Sequence, residues 1–147
     1  MEELLKELVE KNRKFTADGN VANYIPELDK ADKNALGIYV TTLDGQEFFA
    51  GDYNTKFTIQ SISKIISLML AILDNGEEYV FSKVGMEPSG DPFNSIRKLE
   101  TSSRKKPYNP MINAGAIAVA SMIKGKDDRE KFLRLLDFAK LITEDDT

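Results

Sequence analysis

Two side chains in this sequence have the chemistry and the spacing for acyl transfer. Ser61 and Lys64 stand in Gln60-Ser61-Ile62-Ser63-Lys64, at the head of an apolar run, in a chain with no histidine and no cysteine. A serine nucleophile needs a base within hydrogen-bond reach. With imidazole excluded, the available bases are a lysine amine, a carboxylate or a tyrosine. If Ser61 begins a helix, the residue three positions on lies one turn further along the same face, so the amine reaches back to the hydroxyl. That is the Ser-Lys form of nucleophilic catalysis. The bland alternative is that Ser61 caps a core helix while Lys64 carries its charge out to water.

Spacing alone does not select this pair. Ser-x-x-Lys occurs five times, at Ser61, Ser95, Ser102, Ser103 and Ser121. Ser102 and Ser103 belong to a charged run ahead of Pro107, which reads as a solvated loop where a lysine stays protonated. Lys64 is followed instead by Ile65-Ile66-Ser67-Leu68-Met69-Leu70-Ala71-Ile72-Leu73. Its apolar positions cover nearly the whole helix circumference and predict burial. Burial disfavours an ammonium and favours the amine a base requires.

Composition bounds the rest. With 147 residues, 41% hydrophobic and 30% charged, the chain is expected to form a single domain, residues 1–147, with an adequate core. The net charge of −4 offers no broad basic surface, so neither nucleic acid nor an anionic membrane is an expected partner. The longest apolar run falls well short of a membrane span, and acidic Glu2 and Glu3 stand where a signal peptide would be positive. Cytoplasmic residence is the expectation. Absent cysteine and histidine leave no thiolate or imidazole ligands, so a transition-metal site is not expected.

The elements that must position Ser61 and Lys64 are legible in outline. Leu4, Leu5, Leu8, Val9 and Phe15 make one stripe over residues 2–15, an amphipathic helix that Asp18-Gly19-Asn20 ends. Residues 36–43 and 46–50 are β-branched and aromatic around Asp44-Gly45, a hairpin signature. A second turn at 51–55 leads into the long apolar helix, which Asp74-Asn75-Gly76 stops. A short helix is expected over 77–84 and a Gly/Pro-rich loop over 87–95. Asn113 is suited to cap a helix rich in Ala and Gly. Residues 127–142 read as a final amphipathic helix.

Five ordered blocks carry a resemblance. These are the stretches 19–28 with Tyr24-Ile25-Pro26, 50–52, Phe57-Thr58-Ile59-Gln60-Ser61-Ile62-Ser63-Lys64, Val84-Gly85-Met86-Glu87-Pro88-Ser89-Gly90 with 92–95, and Asn109-Pro110-Met111-Ile112-Asn113-Ala114-Gly115-Ala116-Ile117. Together they resemble the signature blocks of the serine-dependent glutaminases, across most of the chain. The resemblance implies an α/β (α+β) fold similar to the β-lactamases and transpeptidases, helices packed on an antiparallel sheet, here incomplete. It implies hydrolysis of L-glutamine to L-glutamate and ammonia without a cofactor, in a homo-oligomer (dimer or tetramer). It further implies that Ser61 is the nucleophile, Lys64 the base, and that Tyr24 places its hydroxyl near the pair and the substrate. Asn113 would hydrogen-bond the substrate and Gln60 line the pocket.

Family members are much longer, and the half beyond the Asn113 block normally supplies a carboxylate, further binding residues, a second oxyanion amide and more strands. The chain thus corresponds to the amino-terminal half of a glutaminase domain. The alternative reading is a non-catalytic fragment or interaction module. A penicillin-recognising enzyme shares the Ser-x-x-Lys helix, but this chain has no Ser-Asp-Asn and no Lys-Thr-Gly element.

Overall fold

A computed structural model of the chain describes residues 1–90, 92, 94 and 106–144. The serine–lysine spacings at Ser95, Ser102 and Ser103, and parts of the expected loop over 87–95, therefore lie outside the described residues. The chain divides into two compact units, Met1–Thr58 and Ile59–Thr147.

In the first unit, helix α1 (Glu2–Arg13) lies on a hairpin of β1 (Gly37–Thr41) and β2 (Glu47–Gly51). Alternation makes the hairpin two-faced, as a period of two requires. Ile38 pairs with Ala50 and Val40 with Phe48, and these four face Leu5 and Val9 of α1. On the other face Tyr39 pairs with Phe49, and Tyr53 stacks on Phe49 with ring centroids 4.1 Å apart. The predicted stripe of α1 is only partly used: Leu5 and Val9 are buried, whereas Leu4 and Phe15 are exposed. α1 stops at Arg13 and tightens into a 3-10 turn, Lys14–Asp18, ahead of Gly19. Asp52 closes this unit. One of its carboxylate oxygens accepts from Arg13 and from the Leu36 backbone, both at 3.0 Å.

The second unit is helical, with α2 (Ser63–Asn75), α3 (Glu77–Lys83), α4 (Asn113–Met122) and α5 (Asp128–Thr143). Its core is Leu70 and Ala71 of α2, Val80 of α3, Val84, Val119 of α4 and Ile123, flanked by Leu135 and Phe138 of α5. Gly76 joins α2 to α3 at φ +84°, a conformation glycine adopts without Cβ strain. Asn75 donates to the carbonyls of Ala71 and Met122, at 2.9 and 2.8 Å, and so ties the end of α2 to the end of α4. Beside it, Asp74 receives Arg134 of α5 through both carboxylate oxygens, at 2.6 and 2.7 Å, and the Lys124 backbone at 2.7 Å. Asp127 caps α5 by accepting from the Glu130 backbone at 2.8 Å.

Three local expectations are corrected. α2 begins at Ser63, not Ser61, because residues 60–62 form a 3-10 turn closed by Ile62 N donating to Ile59 O at 3.1 Å. α2 is not buried all round, since Ile65, Met69 and Leu73 are exposed, Leu73 by 70%. Asn113 is the first helical residue of α4, with Ile112 at the cap position and no side-chain cap bond. Among the described residues, no helix is long and apolar enough to cross a membrane.

Candidate active site

The site is built where the start of α2 meets the start of α4, both within the second unit. Gln60 sits at φ +44°, in the left-handed region that costs a non-glycine residue about 1–2 kcal/mol. This bend sets the 3-10 turn that carries Ser61, and Ser63 Oγ donates back to the Gln60 carbonyl at 2.7 Å. Ser61 itself is exposed. The cap position of α2 falls on Ile62, so Ser61 is not the cap of that helix.

Lys64 follows in the first turn of α2 and is half-buried. Its Nζ donates to the Met111 carbonyl at 2.8 Å and to Asn113 Oδ1 at 2.8 Å. The amine is therefore held by protein rather than extended into water. Both acceptors are uncharged. Asn113, freed of any capping duty, turns its side-chain oxygen toward α2 from the first turn of α4.

The backbone that presents these acceptors is itself braced. Asn109 Oδ1 accepts from Met111 N at 3.0 Å and from Ile112 N at 3.2 Å, the Asx turn that an Asn-Pro pair favours. Gly115 allows the first turn of α4 to close against this bend, since a Cβ there would overlap the Asn109 carbonyl oxygen. Sequence reasoning missed Met111 and Asn109 as parts of the site. The Asn-Pro dipeptide was the available signal for Asn109; a backbone carbonyl such as that of Met111 leaves none.

The structure thus brings Lys64 and Asn113 together, with Gln60 and Ser61 one turn upstream of Lys64. Tyr24 belongs to the first unit, in a bend before Pro26, with 75% of its surface exposed. Among the described residues, no group of three or more carboxylates is gathered to hold a metal ion.

Among the described residues the architecture is an incomplete α/β fold, four α-helices in one unit and an α-helix with an antiparallel hairpin in the other. The chain belongs to the glutaminase family, whose family model matches residues 19–147. It is 97% identical over all 147 residues to a glutaminase of Fusobacterium nucleatum subsp. nucleatum, of which it covers 48%. A glutaminase of Clostridium botulinum is 63% identical over 97% of this chain, which covers 47% of that protein. The chain spans about half the length of the curated relatives it matches. Among solved structures, a probable glutaminase of Bacillus subtilis superposes with a TM-score of 0.85 at 42% identity, over 95% of this chain and 42% of that one. A probable glutaminase from Bacillus subtilis complexed with 6-diazo-5-oxo-L-norleucine superposes at 0.81 and 40% identity, over 95% of this chain and 41% of that one.

Proposed function

We propose that this chain carries the nucleophile and base of a glutaminase that hydrolyses L-glutamine to L-glutamate and ammonia, and corresponds to the amino-terminal half of that domain. The observation that carries the proposal is that Lys64 Nζ, one turn from Ser61, donates to Met111 O and to Asn113 Oδ1 at the start of α4. A neutral amine has two N–H groups and one lone pair. In that form its lone pair can take the proton of Ser61 while Met111 O and Asn113 Oδ1 help to hold the side chain in place.

In this reading Ser61 Oγ attacks the side-chain carboxamide carbon of glutamine as its proton passes to Lys64 Nζ. The oxyanion that forms lies near the positive end of α2, where the Ser61 backbone N–H is one donor. Lys64 then returns the proton to the leaving nitrogen, the C–N bond breaks and ammonia departs. A glutamyl ester remains on Ser61. Water, deprotonated by Lys64, cleaves the ester and restores the serine. Asn113 and Gln60 contribute polar contacts to the substrate, and Tyr24 a hydroxyl. A cytoplasmic homo-oligomer belongs to the same reading, supported by the acidic, cysteine-free composition and the exposed apolar residues of α2.

The half-length span favours a second reading, a glutaminase-like piece that folds and turns over nothing. Ammonia release from L-glutamine decides between them, measured on the 147-residue chain, Ser61→Ala and Lys64→Ala. Loss of a positioned base is expected to cost about 10²- to 10⁴-fold. Equal release by the wild type and Ser61→Ala would end the claim that this chain is catalytic by itself.

A further inference from the structure

We infer that Asn109 is a positioning residue for the Lys64 amine, acting through the peptide between Met111 and Ile112. A trans peptide points its carbonyl and its N–H in opposite directions from one plane. Here the N–H, that of Ile112, donates to Asn109 Oδ1 at 3.2 Å, while the carbonyl, that of Met111, accepts Lys64 Nζ at 2.8 Å. The same Asn109 oxygen takes the preceding N–H, that of Met111, at 3.0 Å. One side-chain oxygen therefore fixes the plane that aims the acceptor at Lys64.

The amide nitrogen of Asn109 anchors the arrangement from the other end. Its Nδ2 donates to the Glu87 carbonyl at 2.9 Å. That segment is bound to the chain before Asn109 by two backbone bonds, Gly85 N to Pro107 O at 2.8 Å and Glu87 N to Tyr108 O at 3.0 Å. Gly85 is required for this pairing, because a Cβ on it would overlap the Tyr108 carbonyl oxygen. Asn109 thus links the 85–87 strip, the Asn-Pro bend and Lys64. Losing it leaves the Met111 peptide free to rotate and weakens one of the contacts that aim the amine.

The inference rests on the reading of Lys64 as the base, yet its test does not need turnover. Trace acetylation with acetic anhydride, read by peptide mass spectrometry, reports how firmly each lysine of the 147-residue chain is held. Asn109→Ala is expected to speed labelling of Lys64 roughly 3- to 10-fold, the worth of an ordinary hydrogen bond. Lys131, whose Nζ donates to Ser121 O, and exposed Lys126 serve as internal references. Asn109→Ser keeps a turn-forming oxygen but not the Nδ2 donor, and should return Lys64 part of the way to the wild-type rate. Unchanged Lys64 labelling in Asn109→Ala overturns the inference, as does acceleration of Lys64, Lys126 and Lys131 together, or failure of Asn109→Ser to restore any protection. Where ammonia release is measurable, Asn109→Ala should lower kcat with little change in KM. No release by the wild type sinks the proposed function, while the labelling still decides the role of Asn109.

Discussion

Lys64 Nζ lies 2.8 Å from Asn113 Oδ1, although 49 positions separate the two residues in the sequence. The contact joins the first turn of one helix to the first turn of another. Asn113→Ala is expected to lower glutamine turnover about 10- to 100-fold by removing one of the acceptors that aim the amine. Asn113→Asp is the sharper variant. A carboxylate beside an ammonium stabilises it, so the pH at which activity rises should be displaced upward. A pH–rate profile of this variant that overlays the wild type would remove Asn113 from the base's surroundings.

The Asp74–Arg134 pair makes a stability prediction with a defined pH window. Arg134 hydrogen bonds, reinforced by the Lys124 N–H against the opposing effect of burial, hold the Asp74 carboxyl below its ordinary value. Its side chain is only 8% exposed, so the pair is shielded from solvent on the acidic side. A carboxylate with a depressed folded-state pKa adds stability above its unfolded value near 3.9 and loses it as pH falls through the folded one. Asp74→Asn should cost about 2 kcal/mol at neutral pH, measured by urea unfolding. Between pH 5 and 3 the gap between variant and wild type should narrow. Asp44 and Asp52 are also held low, Asp44 chiefly by Thr42 and Asp52 chiefly by the Leu36 backbone. Both proteins will therefore weaken in acid, and only the closing of the gap reports Asp74.

Gly115 is expected to tolerate no side chain. A methyl at this position would press on the Asn109 carbonyl, a backbone atom that cannot swing aside. Gly115→Ala would ordinarily favour a helix. Here it should destabilise by about 2 kcal/mol, the cost of overpacking, and should loosen the Lys64 clamp as well. A rise in the unfolding midpoint of this variant would contradict the close approach of α4 to the bend.

Much of the fold was legible because its signals are local. The hairpin follows from alternation around Asp44-Gly45, and it forms with Tyr39 opposite Phe49. Asp74-Asn75-Gly76 ends α2 as expected, since glycine adopts the positive φ that stops a helix. Boundaries were less certain where two local preferences compete. Ser61 is a good cap residue, but the left-handed Gln60 puts it in a tight turn and passes the helix start to Ser63. Ile65, Met69 and Leu73 read as core from hydrophobicity alone, whereas each is exposed in a chain that spans about half of its relatives' length.

The sequence by itself determined the family, through ordered blocks that no composition supplies by chance, and it singled out Ser61 and Lys64 once histidine was absent. It also determined which segments are helical, because periodicity and punctuation act over a few residues. Only the tertiary structure decided what Lys64 touches. Met111 offers a backbone carbonyl, which every residue has, and Asn113 was equally fit to cap a helix or to face another one. Which carbonyl and which side chain meet the amine depends on the packing of α2 against α4, with Asn109 and Gly115 setting the bend between them. Contacts so distant along the chain leave no mark in local pattern.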